Sequence, residues 1–242
     1  MTAEVLVYGV VTARDAFAEP SGTRRVVHGD IAAIVAGVEE KGLSASRALR
    51  EHWDILGDIA RATTVLPIRF GTAMAGDEAV VDEFLAPNHD ALRDALGTLD
   101  GKVQLTVKGS YEQEVLLRGV VERSPAIARL RAQVEQLPEA ASYAKRIQLG
   151  ELVSAEVERE RERDSAFVNE RLDPLAVAAR HERAAGPDGA VNSAFLVERD
   201  EAAAFEQTVG ELRRELAGRM QLRVIGPLPA YSFAPEGVSA WG

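Results

Sequence analysis

Four histidines, His28, His52, His89 and His181, are the side chains of this sequence best suited to carry a proton near neutral pH or to hold a metal. They are scattered along the chain without the short spacings of a metal site, so each reads as a turn, cap or packing residue. Cysteine is absent, which removes disulfides, thiolate metal sites and cysteine nucleophiles together. Gly97 to Lys102 has a faint look of a phosphate loop. Its spacing is one residue short, no Ser or Thr follows the lysine, and a strand pattern follows where a helix is needed. A helix C-cap and turn is the better reading. There is no dinucleotide-binding glycine pattern and no nucleophile elbow. Carboxylates are plentiful, but most lie on helical faces beside arginines. Glu158 to Asp164 therefore reads as a solvated helix face, with a partner-binding helix as the alternative. Which carboxylates meet in space is left open. No catalytic, cofactor-binding or metal residue is assigned.

The elements that would position any such chemistry follow from periodicity. Val5 to Val11 is a short β-branched apolar run of the kind that forms a buried strand. Nothing basic precedes it, so it is not read as a signal peptide, and the chain is expected in the cytoplasm. Arg24–Val27 and Ile31–Val38 flank Gly29–Asp30 as a hairpin. From Ser44 the period becomes helical, with Leu49, Trp53, Leu56 and Ile59 or Ala60 on the apolar stripe. Ser44 or Ser46 supplies the cap, and the helix ends near Ala62, where β-branched residues lead to Pro67. A second helical region, Asp77 to Leu96, is interrupted at Pro87–Asn88. Lys102 to Lys108 alternates, with Val103, Leu105 and Val107 on one face.

From Glu112 the chain is mostly helical. Ser124–Pro125 opens one helix, Leu137–Pro138 breaks it, and a long helix runs from Glu139 towards Arg171. There the i,i+3 pairs Glu156–Arg159, Glu158–Arg161 and Glu160–Arg163 add about a few tenths of a kcal/mol each. Leu175–Glu182 and Val191–Val197 read as strands around the turn Gly186–Gly189. Asp200–Ala217 reads as a helix and Gln221–Ile225 as a last strand. The expected fold is α+β: two ferredoxin-like α/β sandwich domains with helices on one sheet face, the second preceded by a helical extension. The expected division is 1–110, then 111–242, the latter made of an extension over about 111–173 and a smaller unit over about 174–242. No run reaches the ~20 apolar residues needed to span a bilayer. The net charge of −10 argues against nucleic acid and anionic lipid as partners.

Two segments carry a family resemblance: Leu66–Pro67–Ile68–Arg69–Phe70–Gly71–Thr72, with His52 and Trp53 upstream, and Gly226–Pro227–Leu228–Pro229–Ala230–Tyr231–Ser232–Phe233. With Val7–Val11, the Lys102–Lys108 strand and Asn192–Val197 in the expected order, the whole chain resembles the GvpL/GvpF family of gas vesicle proteins. Leu228 and Ala230 depart from the family's usual Trp and Pro. The resemblance implies an accessory or minor structural protein of vesicle assembly that is not an enzyme and has no cofactor. Its implied partners are the hydrophobic shell protein GvpA, whose aggregation it would limit during nucleation, and other Gvp proteins. A bridging scaffold among the minor Gvp proteins, or an enzyme on a ferredoxin-like scaffold, are the alternatives. Leu66, Pro67, Arg69, Phe70, Gly71, Gly226, Pro227, Pro229, Tyr231 and Phe233 are the candidate motif or partner-binding residues. They are read first as structural corners, with Arg69 in an internal ion pair, Phe70 plugging the core, and Tyr231 and Phe233 packed on the domain surface.

Overall fold

A computed structural model describes residues 4–38 and 44–234, without the side chains of residues 139 and 140. The first sheet has the order β2-β3-β1-β4, with β5 also pairing β1. These strands are β1 (Val5–Thr12), β2 (Arg24–His28), β3 (Ile31–Gly37), β4 (Leu66–Pro67) and β5 (Ala73–Met74). The chain is mixed α+β, and both of its sheets are antiparallel. β2 and β3 form the expected hairpin, with Val26 opposite Ala33 and His28 opposite Ile31.

β1 and β3 are buried along nearly their whole length because consecutive positions are apolar, and both faces therefore need cover. Helix α1 (Ala45–Ala62) supplies one cover. It packs Ile55, Leu56, Ile59 and Ala60 against Val11, Ala32 and Ile34. The other cover comes from α2 (Asp77–Ala79), a π-helical turn (Val80–Leu85) and α3 (His89–Leu99). Val80, Phe84, Leu92 and Leu96 from this segment pack with Val5, Val10, Ala33 and Val35. The helices expected from the sequence on one face of this sheet lie, in this unit, on both. The break at Pro87–Asn88 is where expected, and the Asn88 amide donates to the Phe84 carbonyl at 2.7 Å. α1 also ends at Ala62 as expected. Its buried stripe is rotated, however: His52 and Ile55 turn inward, and Leu49 and Trp53 are left at the surface.

The second sheet has the order β7-β8-β6-β9. Its strands are β6 (Lys102–Tyr111), β7 (Ala178–Glu182), β8 (Gly189–Glu198) and β9 (Met220–Leu228). Taken in chain order, this is the same arrangement as β2-β3-β1-β4. β6 buries Val103, Leu105 and Val107, as its alternation requires. Between β6 and β7 lie α4 (Gln113–Arg123), α5 (Pro125–Glu135) and α6 (Glu139–Leu172). Ser124 Oγ caps α5 by accepting from the Ile127 amide, and Pro125 occupies the first turn. α7 (Ala202–Glu215) precedes β9 and buries Phe205, Val209 and Leu212. The chain divides into two compact units: the chain up to Leu105 with Phe195–Ala202 and the chain from Ile225, and Thr106–Ala194 with Ala203–Val224.

The charged stretch of α6 corrects another expectation. All three i,i+3 pairs form, and Arg159, Glu162 and Arg163 are exposed, but Glu160 and Asp164 are not part of a solvated face. The side chains of Glu160 and Asp164 are only 8% and 5% exposed. Arg123 reaches Glu160 at 2.8 Å, and Arg163 reaches it at 2.5 Å. Arg219 meets Asp164 at 2.6 Å, and the Tyr111 hydroxyl donates to the same carboxylate at 2.6 Å. Burial pushes the Asp164 carboxyl up against the opposing pull of Tyr111 and Arg219. Packing of α4 and β6 on this turn of α6 puts the acids inside, and one-dimensional charge patterning cannot show that.

Removing one partner from such a network leaves a buried polar group alone, which costs far more than an exposed pair. Asp164→Ala is expected to destabilise the protein by about 3 kcal/mol in urea unfolding. The double change Asp164→Leu, Arg219→Met should cost less, because it removes both charges.

Candidate functional site

The Leu66–Thr72 motif forms the edge of the first sheet. Leu66 and Pro67 pair with Val10 and Gly9 of β1, and the strand resumes where Ala73 and Met74 pair with Leu6 and Val5. Gly9 is required there, since a Cβ would lie 2.8 Å from Val65 Cγ2 and 2.9 Å from the Leu66 carbonyl oxygen. Between the two paired stretches the Ile68 amide donates to the Tyr8 carbonyl and the Val7 amide to the Thr72 carbonyl, both at 2.9 Å. The three residues between, Arg69, Phe70 and Gly71, leave the sheet plane as a turn. Thr72 closes it by donating its amide and its hydroxyl to the Arg69 carbonyl, at 3.2 and 2.9 Å. Gly71 has φ of +86°, a conformation glycine adopts without cost.

The excursion overturns one expectation: Phe70 does not plug the core but is 42% exposed, with Arg69 exposed beside it. Leu66, Pro67 and Ile68 are buried and hold the base of the turn.

Behind Phe70 sits His52, 4% exposed. A bulge in β1 leaves Tyr8 outside the paired register between Val7 and Gly9, and its ring stacks on His52 at 5.2 Å. Phe70 meets the imidazole edge-on at 5.5 Å. His52 Nε2 lies 3.2 Å from the Tyr231 hydroxyl, and Tyr231 in turn lies 4.7 Å, ring to ring, from Trp53. The two motifs, far apart in sequence, are therefore joined through one histidine. Burial pushes His52 below its ordinary value, against a backbone hydrogen bond with Ile68, so the imidazole is neutral at pH 7. Burial raises the Tyr231 hydroxyl, and burial and Glu51 raise that of Tyr8. The cluster is aromatic and uncharged.

The second motif is anchored to the same unit. A Cβ on Gly226 would come within 2.8 Å of the Gln104 carbonyl oxygen, and the Gly226–Pro227 peptide is cis. The Pro229 carbonyl accepts the Tyr231 amide at 2.7 Å, and the Gln104 side chain accepts the Ser232 amide at 3.0 Å. Phe233 packs against the core beneath the sheet.

Beside the cluster runs a groove of about 430 Å³ between α1 and the ends of β1 and β3, lined by Leu6, Tyr8, Val38, Ile55 and Phe70, with Arg47 and Glu51 on its rim. Val38, which lines it, is about 40% exposed, and so are Leu49 and Trp53 on another side of α1. Sequence reasoning missed this patch because Leu49 and Trp53 fit the apolar stripe. The available signal was the competing stripe of His52, Ile55, Leu56 and Ile59. Elsewhere His89 pairs with Asp30 at 2.7 Å. No group of three or more potential metal ligands occurs among the described residues, and no helix among them is long and apolar enough to cross a membrane. The geometry offers apolar contact and a few hydrogen-bonding groups.

Residues 4–235 match the family described as gas vesicle synthesis protein GvpL/GvpF. Gas vesicle protein F of Streptomyces sp. (strain CB03234) is 31% identical over 217 residues, covering 88% of each chain. Gas vesicle protein F of Nostoc sp. (strain PCC 7120) is 26% identical over 198 residues, 81% of this chain and 80% of that one. The crystal structure of GvpF from Anabaena sp. PCC7120 superposes with a TM-score of 0.82 at 23% identity, over 96% of this chain and 98% of that one. GvpF from Microcystis aeruginosa does so at 0.76 and 21%, over 97% and 100%.

The depressed His52 pKa makes folding pH-dependent. The unfolded imidazole takes its proton near its ordinary value of 6.5, whereas the folded one resists it. Its contribution to stability is present above about 6.5 and is lost as pH falls from there through the lower folded-state value. Thermal melting between about pH 7.5 and about pH 5 should show this loss. In His52→Gln, which keeps a donor and an acceptor without titrating, the slope should be shallower.

Proposed function

The chain belongs to the gas vesicle synthesis protein GvpL/GvpF family, and from that premise we propose that it binds the hydrophobic shell protein GvpA and limits its aggregation during nucleation. A role in gas vesicle assembly and an association with gas vesicles and other Gvp proteins follow from the family itself, which is one of structural and accessory proteins. The finer reading places the protein in the cytoplasm as a non-enzymatic holder of the shell subunit. The contact surface is the aromatic corner: Phe70 and Arg69 on the edge turn, Trp53 and Tyr231 beside it, and the groove lined by Val38 and Ile55.

The observation that carries this reading is apolar exposure around a groove in a protein of net charge −10. An aggregation-prone partner needs apolar contact that does not seed strand addition. Pro67, lacking an amide hydrogen, and the turn at Arg69–Gly71 interrupt the sheet edge and deny it that template. The aromatic side chains then offer contact area at low conformational cost.

Co-expression of the tagged protein with GvpA tests the reading. The wild type should retain soluble GvpA through affinity purification. Phe70→Ser combined with Trp53→Ser should lower the retained amount about tenfold, since buried aromatic anchors dominate such interfaces, with thermal melting little changed because both side chains are partly exposed. Arg69→Ala should give a smaller loss. Failure of the wild type to retain GvpA, or full retention by the folded double variant, overturns it.

A further inference from the structure

Strand β7 closes one side of the second sheet, so its outer row of backbone amides and carbonyls has no strand opposite it among the described residues. Ala178, Arg180, His181 and Glu182 are exposed. Two opposite charges on this edge are also unmet. Among the described residues Arg180 has no ion pair, and neither has the Glu182 carboxylate, which accepts the Asn192 amide at 3.1 Å. At positions i and i+2 of a strand, the two side chains stand on the same face.

Symmetry restricts what can pair with this edge. When two copies of one edge strand pair antiparallel, the two-fold axis runs perpendicular to the sheet and each face is continued by the same face. Residues directly opposite must then stand on the same face of their strands, so the axis passes through a residue. Centring on Arg180 sets that arginine against itself, and centring on Glu182 sets like carboxylates together. Centring on His181 sets Arg180 of each copy opposite Glu182 of the other. This register joins both unmet charges twice over. It also places Arg183 of each copy opposite the small Ala179. The imidazoles on the axis are held within their own chains, Nε2 by Asp173 and Nδ1 by Ser193, both at 3.1 Å, so a carboxylate lies beside each.

We propose that this chain self-associates through β7, two copies pairing antiparallel about His181 and extending the four-stranded sheet into a continuous one of twice that width. The surface is fitted to a second copy of this chain because its charges are self-complementary in one register and repulsive in the neighbouring two.

Sedimentation equilibrium of the full chain, from micromolar to sub-millimolar loading, tests this. A reversible monomer–dimer equilibrium is expected. Arg180→Glu and Glu182→Arg should each weaken it about tenfold or more, because the two-fold doubles every lost pair and puts like charges opposite. The double variant, with both charges exchanged, should return to near the wild-type constant. Thermal melting establishes that each variant is folded. A wild type that stays monomeric throughout overturns the proposal. So does a dimer indifferent to the single changes, or a double variant as weak as the singles.

Discussion

Strand β1 is apolar on both of its faces, and most of the first unit is a response to that constraint. A strand with one solvated face needs a single layer of cover. Val5, Val7 and Val10 face one way, while Tyr8 and Val11 face the other, and all are buried. α1 must therefore lie on one side and the Asp77–Leu99 helical segment on the other. The bulge at Tyr8 re-phases the strand and turns the Tyr8 ring to the α1 side, where His52 receives it. Gly9 follows immediately, the residue without a side chain that lets the Leu66–Pro67 edge come close.

From that close approach the candidate site is built. The edge strand is short, ends in a proline and is interrupted by a turn, so it offers little continuous hydrogen-bonding edge. The residues that interrupt it are also those that reach the surface. Edge protection and display of Phe70 are thus one structural device. His52 unites the device with the distant Tyr231 segment, and it can do so only as a neutral imidazole, since burial among aromatic rings disfavours its charged form.

The second unit uses charge differently. Glu160 and Asp164 are buried together on one turn of α6 and are satisfied by arginines from α4, from α6 itself and from the segment before β9, and by Tyr111 of β6. Such an arrangement is expensive to form and more expensive to break. It ties three stretches of chain to one helical turn. On β7 the opposite holds: Arg180 and Glu182 are exposed at the sheet edge, with no ion pair among the described residues.

The sequence by itself determined the local elements and the family. The hairpin about Gly29–Asp30, the end of α1 at Ala62, the break at Pro87–Asn88, the β6 alternation and the Ser124–Pro125 helix start are all set by backbone sterics, capping and short-range periodicity, which act within a few residues. The Leu66–Thr72 and Gly226–Phe233 motifs were legible as segments for the same reason. What they do in space was not. Only the tertiary structure decided that α1 turns His52 inward and leaves Trp53 outside, that Phe70 is displayed and not buried, that the first sheet is covered on both faces, and that Glu160 and Asp164 lie inside. Each depends on which surface of a helix or strand meets another element far away in the chain. A helical period names a stripe, but here two overlapping stripes were available. The choice between them came from the stacking of Tyr8 and the hydrogen bond of Tyr231, contacts made across 44 and 179 residues of chain.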